Sequence, residues 1–134
     1  MGVPLDTTLF ADLARRRPSA IPKIAELDGR PGTKVISAPV AFEILHDNIL
    51  YARSSTRAAL FRGWISKSHV APLDLASAER AANIRAEFSR LGRVKAVVDL
   101  LSAGIALAGD HRLVTRDEDL QEIAEATGLV LETY

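Results

Sequence analysis

Asp6, Glu43, Asp99 and Asp117 are the residues of this chain whose type and setting point most directly to chemistry. Asp6 directly follows the apolar run Val3-Pro4-Leu5, and Asp117 follows Leu113-Val114-Thr115 after one intervening arginine. Glu43 sits within Val40-Ala41-Phe42-Glu43-Ile44-Leu45, and Asp99 within Ala96-Val97-Val98-Asp99-Leu100-Leu101. A carboxylate among apolar neighbours is costly unless something positive compensates it. No Lys or Arg lies within four residues of Asp6 or Glu43, whereas Lys95 precedes Asp99 by four. If the four acids converge, their mutual repulsion calls for a bound cation. An all-oxygen ligand set in a chain without cysteine selects a hard ion, Mg2+ or Mn2+. The chemistry of such a pocket is phosphodiester hydrolysis, in which the ion activates a water and offsets charge on the scissile phosphate while the carboxylates hold it. Thr7 and Thr115 stand where a hydroxyl can add contacts to water or phosphate.

All of these residues but Glu43, whose sequence neighbours are both apolar, also have a ready structural reading. Asp6 or Thr7 suits the cap of the first helix, and Asp117 or Asp119 that of the last. Asp99 fits a helix N-terminus, where the dipole favours an anion, and either threonine serves equally well as a β-branched or capping residue. Convergence is therefore an expectation for the fold to test. The three histidines, His46, His69 and His111, share no helix-face or turn spacing and are read as surface or loop residues.

The elements that must position the acids alternate in type. Val3–Leu5 reads as a very short strand, followed by an amphipathic helix over about Thr8–Arg17 that Pro18 stops. A short helix over Ile21–Leu27 ends at the turn-rich Asp28-Gly29-Arg30-Pro31-Gly32, and Lys34–Ser37 is the second strand. Pro39 belongs in the first turn of a helix running to about Ala52, and another helix begins near Ser54 or Ser55. His69–Leu73 reads as a strand, and Asp74 to Ser77 cap a helix reaching Leu91, with Gly92 as its stop. A helix over about Val98–Ala108, a strand at Arg112–Thr115, a helix at Glu118–Thr127 closed by Gly128 and a strand at Leu129–Glu132 complete the order. Such alternation implies an α/β fold, a parallel sheet covered on both faces, with ligands bound beyond the carboxyl ends of the strands.

A length of 134 residues is that of one domain, read here as residues 1–134, and suffices for a core without staples. A hydrophobic share of 48% argues against disorder, and scarce aromatics leave the core to Ala, Leu, Val and Ile. Without cysteine, disulfides and thiolate metal sites are excluded. The opening residues carry no basic leader or long apolar run, and the apolar stretch near Ala96–Ala108 is too short to span a bilayer. A soluble, cytoplasmic protein is expected. Seventeen basic against seventeen acidic residues argue against a charge-driven nucleic-acid binder of the histone kind. Local basic groups remain available, at Arg15-Arg16-Arg17 and in the spread Arg53, Arg57, Arg62 and Lys67, each as readily a solvated helix surface as a phosphate contact.

The acidic blocks resemble those of a known family. Leu5-Asp6-Thr7-Thr8 is similar to the opening motif of PIN-domain ribonucleases, particularly VapC-type toxins. Ile36-Ser37-Ala38-Pro39-Val40-Ala41-Phe42-Glu43-Ile44-Leu45 resembles their second block and Asp99-Leu100-Leu101-Ser102-Ala103-Gly104-Ile105-Ala106 the third. Leu113-Val114-Thr115-Arg116-Asp117-Glu118-Asp119-Leu120 resembles the fourth, and the four stand in family order over nearly the whole chain. The resemblance implies a PIN-like α/β fold, a central parallel sheet flanked by helices with a helical insert after the second strand. It implies a Mg2+- or Mn2+-dependent endoribonuclease in which Asp6, Asp99 and Asp117 hold the metal and Glu43 contributes directly or through water. It further implies a homodimer formed through about Pro39–Lys67, a VapB-type antitoxin as partner, and structured RNA such as tRNA or rRNA as substrate. The alternative is a catalytically silent PIN-like module that binds protein or RNA. A phosphotransfer receiver is disfavoured because strand Val35-Ile36 ends in Ser-Ala-Pro, and a dehalogenase-like phosphatase because Thr8 stands where a second Asp is needed. Two departures from the family pattern stand out. Pro4 cannot donate to a sheet ladder and belongs at a strand start, and Asp119 competes with Asp117 for the fourth acidic position.

Overall fold

The computed structural model describes residues 3–5, 9, 12, 17–29, 34–51 and 55–134. Asp6 and Thr7 lie outside the described residues, as do most of the expected Thr8–Arg17 helix, Arg30 to Gly32 of the expected turn, and Arg53. Within that helix Leu9 and Asp12 are helical and buried, while Arg17 already lies outside regular structure.

The elements run β1 (Val3–Leu5), α1 (Ala20–Gly29), β2 (Lys34–Ser37), α2 (Ala38–Tyr51), α3 (Ser55–Ser66), β3 (His69–Ala71), α4 (Leu75–Arg90), α5 (Val97–Ala108), β4 (Leu113–Val114), α6 (Glu118–Thr127) and β5 (Leu131–Glu132). The strands form one sheet in the order β3-β2-β1-β4-β5, with every pair parallel. Chain order reverses between β1 and β4, which makes the crevice beyond their carboxyl ends the switch point where ligands collect in such sheets.

Several boundaries shift for identifiable reasons. β3 stops at Ala71 rather than Leu73, because Pro72 has no N–H for the ladder. α1 starts at Ala20 and keeps Pro22 in its first turn, where backbone N–H groups have no partner within the helix. Pro4 is the second residue of a central strand rather than its first, and the β1–β4 register begins only after it, at Leu5 opposite Val114. β4 is two residues long, although Thr115 N–H still donates to the Glu132 carbonyl at 3.0 Å.

Side-chain alternation along the strands separates two cores. Ile36 and Val114 are buried on one face with Leu9, Ala20, Leu27, Val40, Ala41 and Ile44, beneath α1 and α2. On the other face Leu113 packs with Ile84, Phe88, Leu100, Ala103, Leu120 and Ile123 of α4, α5 and α6, and Val35 with Ala71 and Ile105. The α4–α5 pair has the most extensive contact between elements among the described residues. Gly104 permits it, for a Cβ there would stand 2.4 Å from the Ser77 carbonyl oxygen and 2.9 Å from the Ala81 Cβ. No described helix is long and apolar enough to cross a membrane.

Candidate metal centre

Two helix N-termini carry the acids that meet. Ala96 precedes α5 without a side-chain cap, and Asp99 occupies that helix's first turn. Asp117 is the N-cap of α6, its Oδ1 accepting from the backbone N–H of Asp119 at 2.8 Å and of Leu120 at 3.2 Å. Asp119 lies in the first turn of the same helix. One carboxylate oxygen from each of Asp99, Asp117 and Asp119 lies within 4.8 Å of the others, and all three side chains are half-buried. The positive ends of the two helix dipoles point at this group, which eases the juxtaposition of three anions.

Lys95 supplies a fixed positive charge beside them. Its ammonium donates to Asp119 Oδ1 at 2.9 Å and to Glu122 Oε2 at 2.7 Å, and lies 5.2 Å from the centre of the Phe88 ring. The side chain is buried. The hydrogen bond to Glu122 leads the causes that raise the Lys95 pKa above 10.5, against the opposing effect of burial. Glu122 is correspondingly lowered, chiefly by Lys95 and also by Arg93.

The turn leading into Asp117 is held from three sides. Thr115 is fully buried and its Oγ1 accepts from the Asp117 backbone N–H at 3.0 Å. Between them Arg116 reaches back to Asp12, donating from Nε at 2.5 Å and from a terminal nitrogen at 2.8 Å. The Tyr134 hydroxyl donates to the same Asp12 carboxylate at 2.7 Å. Arg116 and then Tyr134 hold the Asp12 carboxyl below 3.8, outweighing the raising effect of its burial.

The acids expected from sequence thus divide. Asp99 and Asp117 come together; Asp6 lies outside the described residues. Asp119, a competitor for the fourth position, joins the group alongside Asp117. Glu43 is half-buried on α2 and is not one of the three carboxylates that meet. The enclosing apolar setting expected for it is only half present, because Phe42 turns to solvent, 68% exposed, while Ile44 is buried. Thr115 contacts the backbone of Asp117, a turn-forming role. Sequence reasoning passed over Asp12, although it shares with Glu43 the signal of an acid between apolar residues, Ala11 and Leu13. The second basic cluster presents Arg62 and Lys67 to solvent.

The donor set fits a hard divalent ion. Opposite oxygens around Mg2+ stand about 4.2 Å apart, twice the usual metal–oxygen distance, so three carboxylates this close need little movement to share one ion.

The sequence matches the PIN domain model over residues 3–126, and the chain belongs to that family. Its fold is shared with solved toxin–antitoxin complexes. VapBC2 from Rickettsia felis, bound to a DNA fragment from its promoter, contains a chain that aligns with a TM-score of 0.82 at 21% identity, covering 100% of this chain and 99% of that one. VapBC-1 from nontypeable Haemophilus influenzae gives 0.80 at 17% identity, over 99% and 98% of the two chains. DNA-bound VapBC from Salmonella typhimurium gives 0.75 at 23% identity, again over 99% and 98%. No curated protein sequence matches this one.

Proposed function

We propose that this chain is a divalent-metal-dependent endoribonuclease, the VapC-type toxin of a toxin–antitoxin pair. The observation that carries the reading is the meeting of Asp99, Asp117 and Asp119 within 4.8 Å, beyond the carboxyl end of β4 in a PIN-domain chain. Asp6 follows β1, the strand paired to β4, and completes the expected ligand set, with Glu43 contributing directly or through water. A bound Mg2+ or Mn2+ supplies Lewis-acid stabilisation of the scissile phosphate and a more acidic water. The protein's own contribution is to hold the carboxylates at the two helix ends and, through those helices' N-termini, to favour an anionic phosphate. The antitoxin partner is supported by the shared fold with chains of VapBC complexes. Structured RNA, tRNA or rRNA, as substrate, a homodimer through Pro39–Lys67 and a cytoplasmic setting complete the proposal.

A second reading, a catalytically silent module, draws on the structural tasks of two of the acids: Asp117 caps α6 and Asp119 binds Lys95. Incubation of the purified protein with RNA, in Mn2+ and in chelator, separates the two. Metal-dependent cleavage that disappears in Asp99→Asn supports the nuclease; folded protein that cuts no RNA in Mn2+ supports the silent module. The toxin assignment has its own test, growth arrest on expression that the adjacent antitoxin gene relieves.

A further inference from the structure

Lys95 is absorbed by neither the fold's core nor the proposed chemistry. A lysine this buried ordinarily shifts toward its neutral form or needs full pairing, and here both partners are acids of α6, one of which belongs to the carboxylate group. The Phe88 ring lies beneath the ammonium, and only 5% of the side chain is exposed, so the charge has no path into solvent. Glu122 is shared, since Arg93 donates to the same Oε2 at 2.5 Å. Lys95 is held by both acids, and Asp119 is the one through which it reaches the carboxylate group.

We propose that Lys95 is a positioning residue that acts as a built-in counter-ion, competing with the divalent metal for Asp119 and so weakening metal affinity at the site. The inference rests on reading the carboxylate group as a metal site. Without metal, the ammonium offsets part of the repulsion among three acids and keeps Asp119 oriented. With metal, the same ammonium occupies one Asp119 oxygen and sets a like charge beside the incoming cation. Both effects oppose binding, so removal of Lys95 exchanges stability of the metal-free protein for tighter binding.

The test is Mn2+ binding to the whole chain, read by the loss of the free-ion electron paramagnetic resonance signal. Lys95→Met keeps the stem on Phe88 and leaves two partly exposed carboxylates that water can reach. It is expected to lower the Mn2+ dissociation constant by about tenfold, while Lys95→Arg, which retains charge and donors, stays near the unsubstituted protein. In an Asp119→Asn background the gain should shrink to about twofold or less, because the coupling runs through that carboxylate. Should Lys95→Met fail to fold, Glu122→Gln throws Lys95 wholly onto Asp119 and is expected to weaken Mn2+ binding several-fold. Unchanged or weaker binding in folded Lys95→Met overturns the proposal, as does a gain that persists undiminished without Asp119, or unchanged or tighter binding in Glu122→Gln. Absence of Mn2+ binding by the unsubstituted chain removes the metal reading itself, and this proposal with it.

Discussion

Arg116 and Asp12, 104 positions apart in the chain, form a two-bonded ion pair that ties the approach to Asp117 to a buried point beside the first core. Asp12 is almost wholly enclosed, and the Tyr134 hydroxyl donates to the same carboxylate. An enclosed carboxylate depends on such partners, and loss of its charge strands the guanidinium. Because the folded-state pKa of Asp12 lies below 3.8, its contribution to stability is present above that pH and disappears as pH falls through the lower folded value. Asp12→Asn should therefore lower the melting temperature at neutral pH, by on the order of 1–3 kcal/mol in stability. The gap between variant and parent should close as pH drops below about 4. Melting curves across that range check it; a gap that widens in acid contradicts the assigned role.

Removal of the Asp99 charge tests the site more directly. Asp99→Asn keeps the shape of a first-turn residue in α5 but deletes one of three converging anions. RNA cleavage in Mn2+ should fall at least about a hundredfold, the scale of about 2.7 kcal/mol of lost transition-state stabilisation. The circular dichroism spectrum should remain that of the parent.

Metal should also stabilise the folded chain, since a ligand that binds only the native state adds free energy by mass action. At a hundredfold excess over its dissociation constant, Mn2+ should contribute about 2.7 kcal/mol. The melting temperature should rise by several degrees and return on addition of chelator. Neither change is expected in a protein carrying both Asp99→Asn and Asp117→Asn, in which the amide oxygen introduced by the second substitution can still cap α6 and only the charge at that helix end is lost.

The parts of this arrangement differ in how legible they are from sequence. Asp117 and Asp99 were readable because each lies at a boundary marked locally: a strand exit ahead of Glu118, and an acid opening an apolar helix. Asp119 was visible only as a rival to Asp117, because helix geometry alone does not say that a cap and a first-turn acid on α6 both reach the side chain of α5. The Lys95–Asp119 and Arg116–Asp12 pairs span 24 and 104 residues, so no local pattern reports them. Asp12 lies within the expected amphipathic helix, whose pattern does not tell a solvent-facing acid from one buried against Arg116. β4 and β5, two residues each, are shorter than any periodicity can define, and their bounds follow from neighbours in the sheet.

Gly104 brings packing and site together in one residue. Two effects of Gly104→Ala oppose each other. Alanine is favoured over glycine inside a helix by about 1 kcal/mol, but its Cβ meets the Ser77 carbonyl oxygen at 2.4 Å and the Ala81 backbone nitrogen at 3.0 Å. Two of the three close atoms are backbone, so relief requires α4 and α5 to separate; overpacking of this kind costs about 1–3 kcal/mol. With the Cβ only 2.4 Å from a backbone oxygen the clash should fall in the upper part of that range and win, and chemical denaturation should register a net loss of up to about 2 kcal/mol. Since α5 also carries Asp99, the same displacement should weaken Mn2+ binding although no ligand has been altered. A variant that loses stability yet binds Mn2+ as before would show that α5 shifts without moving its N-terminus, and the coupling between helix packing and site would have to be abandoned.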